Sequence, residues 1–213
     1  MIKIETNLLP SVMDWQSTIQ GMRNPMNSWD KSDTASMKVG YLRLGVKDKE
    51  LMIRLIQAGT EHRKFLRMLH IGMVVTAPLY WWREFDAYKI GIVRNSSSTM
   101  HKIMSKEFTR DDFSMDGLSP NELDGVIAKL NSLRSLYINC DDEKRKKEYW
   151  RKVIMILPNC YNQRANILFN YENAMNMHFQ RRYHKLSEWR EFDRVLLEQV
   201  PYFKDFVECL EEE

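Results

Sequence analysis

The chain has 213 residues, of which 44% are hydrophobic, so it is long enough to bury a core. Lysine and arginine number 32 and aspartate and glutamate 29, which gives a net charge of +3. A charge this small and dispersed excludes a surface built for duplex DNA, and we expect no nucleic-acid partner. Because the sequence contains no low-complexity linker and no internal repeat, we predict a single domain over residues 1–213.

Cysteine usage and the N-terminal sequence indicate the cellular compartment. Cys140, Cys160 and Cys209 are odd in number and widely spaced, so they predict neither a disulfide framework nor a zinc site. The N-terminus lacks the basic start and apolar run of a signal peptide, and no segment is apolar over the length of a membrane span. We therefore expect a soluble, cytoplasmic protein without a membrane partner.

The first half of the sequence is predicted to mix strands and helices. Residues 1–45 are expected to be irregular. In KDKELMIRLIQAG the apolar residues recur at helical spacing, and Gly59 would end that helix. FLRMLHIGMVVTA is rich in apolar residues, which predicts a buried strand with a helix ending before it. Pro78 then suits the first turn of a helix with the body LYWWREFDAY, capped by Thr76 or Ala77, because proline needs no N–H partner there.

The second half is predicted to be mainly helical. SPNELDGVIAKLNSLRSLYI begins with Ser119 as a cap, Pro120 at the first position and Glu122 completing a capping box. DEKRKKEYWRKVIMIL predicts a helix with a basic face that ends before Pro158. Two further helices are expected at roughly 163 to 182 and 185 to 199, and a short terminal helix starts at Pro201.

Histidine and glycine spacing excludes several classes of site. The five histidines form neither HExxH nor His-x-x-x-His, the spacings that place two ligands on one helix face, so no metal site is predicted. The eight glycines are not clustered, which excludes a Walker-type phosphate loop and the Rossmann fingerprint. No GxSxG elbow is present, while a Ser-His-Asp arrangement on another scaffold stays open.

The stretch RNSSSTMHK, Arg94 to Lys102, contains one arginine, three serines, a threonine and two further basic side chains. Hydroxyls, backbone N–H groups and a guanidinium provide the short, charge-assisted hydrogen bonds that phosphate oxygens accept. The stretch follows a strand and an aromatic-rich helix, so rigid elements would position it as they position site loops. A solvated polar turn has the same composition, and both interpretations stay open.

The run TAPLYWWREFDAYKIGIVRNSSSTMHKI resembles flavin-dependent thymidylate synthases. In that family a strand ends in Ala-Pro, an aromatic helix follows, and the signature Arg-His-Arg-x-x-Ser-x-Asn-x-x-Ser-x-Arg comes next. Counted without a gap, its Arg-His-Arg falls on Ala87, Tyr88 and Lys89, and only Ser97 is identical. One inserted residue instead places the asparagine on Asn95 and the second serine on Ser98.

The C-terminal half is similar to the same family in the order of its residues. Asn170 and Asn176 match two family asparagines at the same spacing. The nucleotide-binding arginine of the family falls on Arg181 when counted from those asparagines, and on Arg182 when counted back from Trp189. The likeness covers most of residues 50 to 205, including LIQAGTEHRKF, which is similar to the family's segment with a flavin-contacting histidine.

This resemblance implies a fold, a reaction and a set of site residues. The fold would be α/β (α+β), with a small central sheet, packed helices and a mainly helical C-terminal half. Members of the family are homotetramers with sites at subunit interfaces, bind FAD, and use NADPH and methylenetetrahydrofolate to methylate C5 of dUMP. The implied catalytic residues are Ser97 and Ser98; the implied dUMP ligands are Arg94, Asn95, Ser96, Ser97, Ser98, Arg181 and Arg182; and the implied FAD ligands are His62, Arg83, Lys89, Asn170 and His184.

Several alternatives stay open beside this assignment. The Arg-His pair of the signature is missing, although Lys89 and Arg94 offer replacement charge, so the chain is either an enzyme or a nucleotide-binding protein that lost catalysis. A changed reaction on the same base, such as hydroxymethylation, is a third hypothesis. Trp81 and Trp82 are expected to pack in the core or at a subunit interface rather than to stack on a ligand.

Helical spacing distinguishes between the two tandem arginines. Arg181 lies eleven residues after Asn170 (181 − 170 = 11), which is close to three turns at 3.6 residues each. Neighbouring residues on a helix point about 100° apart, so Arg182 is rotated away. We therefore expect Arg181 to pair with the nucleotide phosphate or a uracil carbonyl and Arg182 to make a surface or subunit contact; a solvated basic face for both is the alternative.

Overall fold

The computed structural model describes residues 2–36, 42–119 and 121–211. Four strands form an antiparallel sheet in the order β1-β4-β6-β5, and two short strands, β2 and β3, pair antiparallel with Ala35 opposite Arg43. The predicted mixed fold with a small sheet is confirmed. The strands are β1 (Lys3–Leu8), β2 (Ala35–Ser36), β3 (Leu42–Arg43), β4 (His70–Pro78), β5 (Val93–Ser96) and β6 (Asn162–Asn170).

Helices account for most of the second half of the chain, as predicted. The first half contains α1 (Val12–Arg23), α2 (Val46–Gln57), α3 (Leu79–Phe85) and the single turn α4 (Thr99–Lys102). The second half contains α5 (Asp124–Ile138), α6 (Glu143–Ile156), α7 (Tyr171–Arg181), α8 (Ser187–Gln199) and α9 (Phe203–Glu208). No helix within the described ranges is both long and apolar enough to cross a membrane.

Backbone contacts divide the chain into two compact units. The first contains Met1–Lys3, Val75–Ala87 and Asn95–Asn166, as far as these residues are described. The second contains Ile4–Val74, Tyr88–Arg94 and Ile167–Glu213, with the same restriction. A single domain over the whole chain stays a prediction.

The first unit has its core beneath the α5–α6 hairpin. Leu130 and Val153, one from each helix, are fully buried, and Phe108 and Phe113 pack into the same cluster. Asp142 caps α6 by accepting hydrogen bonds from the N–H groups of Lys144 and Arg145. The apolar face of α6 packs in the core, and most of its charged residues face solvent.

The second unit has an aromatic core around the start of α7. Tyr171 is fully buried, donates its hydroxyl hydrogen to the carbonyl of Pro201 at 2.9 Å, and meets Phe203 edge to face. Burial raises the pKa of Tyr171 well above its usual value. Trp15 of α1 makes edge-to-face contacts with Tyr171 and Tyr202, so α1 belongs to this core.

The prediction that residues 1–45 are irregular is wrong. Strand β1 and helix α1 lie there, and α1 begins with a capping box in which Ser11 and Asp14 exchange hydrogen bonds. Trp15, Ile19 and Met22 are buried at helical spacing. The sequence analysis missed the helical pattern of α1, because its few large apolar residues stand among many polar ones.

A buried ion pair fixes the segment that follows α1. Arg23 Nε donates to Asp48 Oδ1 at 2.7 Å, and the hydroxyls of Ser32 and Thr34 donate to Asp48 Oδ2 at 2.7 and 2.6 Å. Burial alone would raise the pKa of Asp48, but the hydrogen bonds from Thr34, Ser32 and Arg23 and the charge of Arg23 outweigh it and lower that pKa. This polar loop is therefore ordered by one carboxylate.

The predicted helix at roughly 163 to 182 is wrong over its first part. Residues Asn162–Asn170 form β6, in which Gln163, Ala165, Ile167 and Phe169 are buried alternately, the period of a strand. Asn170 then caps α7 by accepting a hydrogen bond from the N–H of Asn173 at 2.9 Å. The helices expected over 47–59, 142–157 and 185–199 are confirmed as α2, α6 and α8.

Three smaller boundaries also differ from the prediction. Pro78 ends β4 and caps α3, and residues Arg63–Met68 form a 3-10 helix where the strand was expected to begin. The backbone N–H of Ser119 donates to the Glu122 carboxylate, which is one half of a capping box, and the Ser119 hydroxyl donates to the same carboxylate at 2.7 Å, yet α5 starts only at Asp124. The predicted first position, Pro120, lies outside the described residues.

Candidate functional site

The loop around Ser97 and Ser98, which we call the serine loop, is held by strand β6 within the first unit. The N–H of Ser97 donates to the carbonyl of Arg164, and the side-chain amide of Gln163 donates to the carbonyl of Ser97, both at 2.8 Å. The Ser98 hydroxyl accepts from the N–H of His101 at 3.1 Å and so caps α4. The Ser97 backbone is thus fixed on both sides, while its hydroxyl lies at the surface.

A small pocket of about 140 Å³, which we call the serine pocket, lies beside this loop. Drug-sized ligands occupy about 300–1,000 Å³, so the pocket has room for one phosphate group rather than a nucleotide. Phosphate oxygens accept hydrogen bonds from hydroxyl and ammonium groups, and the lining offers both. The lining residues are Ser97, Ser98, Thr99, Lys102, Ile103, Ser105, Lys106, Phe108 and Tyr161.

Seven of these nine residues were not among the predicted ligands. Lys102 lies in the quoted stretch, and Ser105 and Lys106 follow it at one-turn spacing, so the local sequence carried their signal. Lys106 pairs with Asp112. Burial, together with the charge of Asp112, raises the pKa of Tyr161, so its hydroxyl stays a donor. Tyr161 is the residue before β6, and its neighbours in the sequence do not predict that it lines this pocket.

Ser97 and Ser98 were predicted to be catalytic, and their surroundings fit hydrogen bonding to a ligand. No described histidine, aspartate or glutamate side chain hydrogen-bonds to either hydroxyl. A serine nucleophile needs a neighbouring base to remove its proton. The other predicted members of the loop, Asn95 and Ser96, are exposed at the end of β5. Catalysis by the serines stays a prediction.

Arg181 and Arg182, which we call the arginine pair, have different neighbours within the second unit. Arg181 Nε donates to the hydroxyl of Tyr88 at 2.9 Å, and its guanidinium carbon lies 4.9 Å from the ring centroid of Trp189. Arg182 instead lies 4.9 Å from the ring of Tyr183 and pairs with Glu211. The two guanidinium groups thus diverge, as the rotation per helical residue predicts.

A buried histidine joins Arg182 to the C-terminal segment. His178 Nδ1 lies 2.7 Å from Asp193 Oδ1, and its Nε2 lies 3.4 Å from Glu211 Oε1. Arg182 is 3.5 Å from the same Nε2. The predicted flavin ligand His184 accepts from the N–H of Leu186 at 3.2 Å, so this histidine also helps to shape the α7–α8 turn.

The remaining predicted flavin ligands lie in separate places. Arg83 is exposed on α3 in the first unit, and Lys89 is exposed in the second. Asn170 is buried as the cap of α7, and a Cβ on Gly91, which has a φ of +74°, would approach its amide nitrogen to 3.2 Å. Within the second unit no described contact joins His62 to Lys89, Asn170 or His184.

His62 lines a larger cavity of about 890 Å³ in the second unit. The walls are mainly apolar, with the basic groups of Lys64 and Arg67 and the carboxylate of Glu61 beside His62. A flat aromatic ring system with phosphates fits such a lining, because the apolar walls take the rings and the cations take the phosphates. The apolar lining residues are Met22, Pro25, Met26, Leu51, Leu55, Phe65 and Met68.

Trp81 and Trp82 were expected to serve packing, and this is confirmed. Both are buried, and their ring centroids lie 4.8 Å apart in an edge-to-face arrangement. Trp82 Nε1 donates to the carbonyl of Gln163 at 2.9 Å, so the indole also anchors α3 to β6. Among the described residues, histidine, cysteine, aspartate and glutamate form no cluster of three that would hold a metal ion.

Two solved structures of ThyX, a flavin-dependent thymidylate synthase, from Helicobacter pylori share this fold. A crystal structure of thymidylate synthase X with FAD and dUMP aligns over 99% of this chain and 100% of its own, with a TM-score of 0.68 and 17% identity. A second, also complexed with FAD and dUMP, aligns over 97% and 99%, with a TM-score of 0.67 and 18% identity. No protein-family model matches the sequence, and no curated protein matches it. The chain therefore has a ThyX-like fold over nearly all of its residues.

Proposed function

We propose that the protein binds FAD and modifies C5 of dUMP, by methylation to dTMP with NADPH and methylenetetrahydrofolate as co-substrates. The observation that carries this proposal is the full-length likeness to ThyX structures that contain both FAD and dUMP. At 17% and 18% identity the likeness concerns the fold, so the roles of individual residues rest on the site itself.

For the nucleotide, we assign the phosphate group to the serine pocket. Ser97 and Ser98 would donate hydrogen bonds and Lys102 would add charge. Arg94, which lies in β5 before the loop, is proposed as a further dUMP ligand because of its charge. As a separate candidate within the second unit, Arg181 is proposed to bind dUMP through a uracil carbonyl or a phosphate oxygen, because Tyr88 and Trp189 hold its guanidinium in one orientation. These groups bind and orient the substrate and do not break bonds.

For the flavin, we assign the cavity beside His62. Bound FAD would supply the redox chemistry of the reaction, since no protein side chain performs hydride transfer. Phe65 and the methionines would cover the ring system and exclude water, and His62, Lys64 and Arg67 would hold its polar groups.

We propose that the protein works as a homotetramer. Its 14 methionines and six tryptophans match the side chains that are enriched in interface cores. Exposed Met13 would then be covered by another subunit. Light scattering is expected to report four chains, and a monomer would contradict sites shared between subunits.

A second candidate function is a nucleotide-binding protein without catalysis. One observation favours it: Tyr88, at the position of the signature histidine, is engaged with Arg181 and with Gln180 at 2.9 Å. The side chain there is therefore used to position an arginine. A changed reaction such as hydroxymethylation is retained as a variant of the first proposal.

Calorimetric titration of the purified protein with FAD and with dUMP distinguishes these functions. The enzyme proposal expects FAD binding, weaker than is usual for the family because the Arg-His pair is missing. Incubation with FAD, NADPH, methylenetetrahydrofolate and dUMP should then yield dTMP by mass spectrometry. A hydroxymethyl product would indicate the changed reaction, and dUMP binding without FAD binding would indicate the non-catalytic function.

A further inference from the structure

Helix α6 concentrates positive charge. Its 14 residues contain six basic side chains and two acidic ones, a net charge of +4 (6 − 2) against +3 for the whole chain. All other residues together therefore carry a net charge of −1 (3 − 4). The basic residues are Lys144, Arg145, Lys146, Lys147, Arg151 and Lys152.

A groove of about 490 Å³ runs beside this helix within the first unit. Its apolar part contains Met100, Trp150, Ile154 and Met155, and Met155 is 74% exposed. The indole N–H of Trp150 donates to the carbonyl of Met100 at 2.9 Å, which fixes the ring at the groove wall. We call this feature the α6 groove.

Three cations border the α6 groove. Lys144, Lys147 and Arg151 lie three and four residues apart, so they share one helix face. None of the three forms an ion pair with a described residue, whereas Arg145 and Lys146 pair with Asp142 and Glu143. Glu148 also lines the groove, so its border has a net charge of +2 (3 − 1), and the three cations are available to a partner.

We propose that the α6 groove binds an acidic amphipathic helix of another polypeptide. Aliphatic side chains on one face of that helix would enter the groove, and carboxylates beside them would pair with Lys144, Lys147 and Arg151. Methionine side chains adapt to such apolar faces.

The lining of the groove favours a peptide over other anionic partners. Single-stranded nucleic acid is held by successive aromatic platforms, whereas this groove presents one indole among aliphatic and methionine side chains. A membrane surface suits a protruding apolar face with basic residues around it, whereas these apolar residues line a recess. Nucleic acid and anionic vesicles therefore serve as competing outcomes in the test.

The test uses the full chain and a fluorescein-labelled synthetic helix with leucines at i, i+3, i+4 and i+7 and glutamates elsewhere. Fluorescence anisotropy is expected to show binding that weakens as salt is raised. The double substitution K147E/R151E should weaken it at least about tenfold, because two facing charges are reversed. The matched double substitution R145E/K152E changes the net charge equally on another face and should stay within about threefold.

Two further comparisons make the result decisive. Met155→Ser should weaken peptide binding without altering its salt dependence, because it removes only apolar contact. Equal losses in both double variants, or equal binding of a peptide with the same leucines scattered around the helix, would overturn the proposal. Tighter binding of oligothymidylate or phosphatidylserine vesicles than of the peptide would also overturn it. Circular dichroism confirms that each exposed variant is folded, and FAD and dUMP titrations should be unchanged.

Discussion

The serine pocket and the arginine pair are two candidate anion-binding regions that position their polar groups in opposite ways. In the serine pocket, consecutive residues of a loop line one small space, and backbone bonds from β6 hold the loop. In the arginine pair, consecutive residues at the end of α7 point to different neighbours, one to Tyr88 and Trp189 and the other to Glu211. Sequence proximity therefore implies a shared site in a loop but not on a helix.

The two regions also differ in the kind of charge they offer. The serine pocket combines hydroxyls with the ammonium groups of Lys102 and Lys106, which act as point charges. Each arginine offers a planar fork that aromatic rings can orient. A phosphate suits either region, whereas a uracil carbonyl in a fixed position suits an oriented guanidinium. Each residue of the serine pocket should therefore contribute a small part of the affinity for dUMP, whereas Arg181 alone should contribute a large part.

The largest expected effect comes from the arginine pair. Arg181→Ala should reduce dUMP affinity more than about a hundredfold, ~3 kcal/mol, because an oriented charged donor is lost. Arg182→Ala should leave the affinity within a few fold. Titration calorimetry with dUMP measures both affinities. Thermal unfolding of each variant checks that the fold is stable without the contacts of Arg181 with Tyr88 and Trp189. The reverse pattern would move the assigned site by one residue.

The second effect concerns Arg94, which leads into the serine loop. Arg94→Ala should weaken dUMP binding by about 1.5 to 3 kcal/mol, the range for hydrogen bonds to charged groups. The matched control is Arg83→Ala, which removes an exposed arginine on α3. In a titration without flavin, this variant should bind dUMP as tightly as the wild type. Equal dUMP affinity in the wild type and Arg94→Ala would identify the loop as a polar surface turn.

The third effect is smaller and tests the pocket residue by residue. Lys102→Ala should weaken dUMP by about 0.5 to 1.5 kcal/mol, because one flexible cation near the phosphate is lost. Lys106→Ala should cost less, since that ammonium is already paired with Asp112. Titration with inorganic phosphate and with deoxyuridine separates the two halves of the nucleotide. A loss seen for deoxyuridine and not for phosphate would place the phosphate elsewhere.

Much of the fold could be predicted because some elements carry strong periodic signals. Helix α2 buries Met52 and Ile56 one turn apart, and α8 buries Trp189, Phe192 and Leu196 on one face. Strand β6 could not be recognised, because it buries the polar Gln163 and leaves Leu168 36% exposed, which blurs the alternation.

The candidate site was predictable only where it is local in sequence. The loop from Arg94 to Lys102 was recognised as a phosphate-binding candidate from its composition, and that role stays a prediction. Tyr161, which lines the same pocket, arrives through the position of β6, and no spacing rule links residues so far apart. Likewise, the contact of Glu211 with Arg182 depends on how the chain returns after α9.

The smallest expected effect comes from that contact and sharpens the choice between the two arginines. Glu211→Gln removes a carboxylate charge from Arg182 and His178 while keeping a side chain of the same size. If Arg181 binds the nucleotide, dUMP affinity should change less than about twofold, because partly exposed ion pairs contribute ~0–1 kcal/mol and this one lies on the other guanidinium. If Arg182 binds it, the carboxylate competes with the phosphate, and its removal should raise the affinity up to about fivefold, more at low salt. Glu208→Gln, which removes the charge paired with Lys204, is the matched control in the same segment. A rise in dUMP affinity for Glu211→Gln alone would contradict the assignment of Arg181.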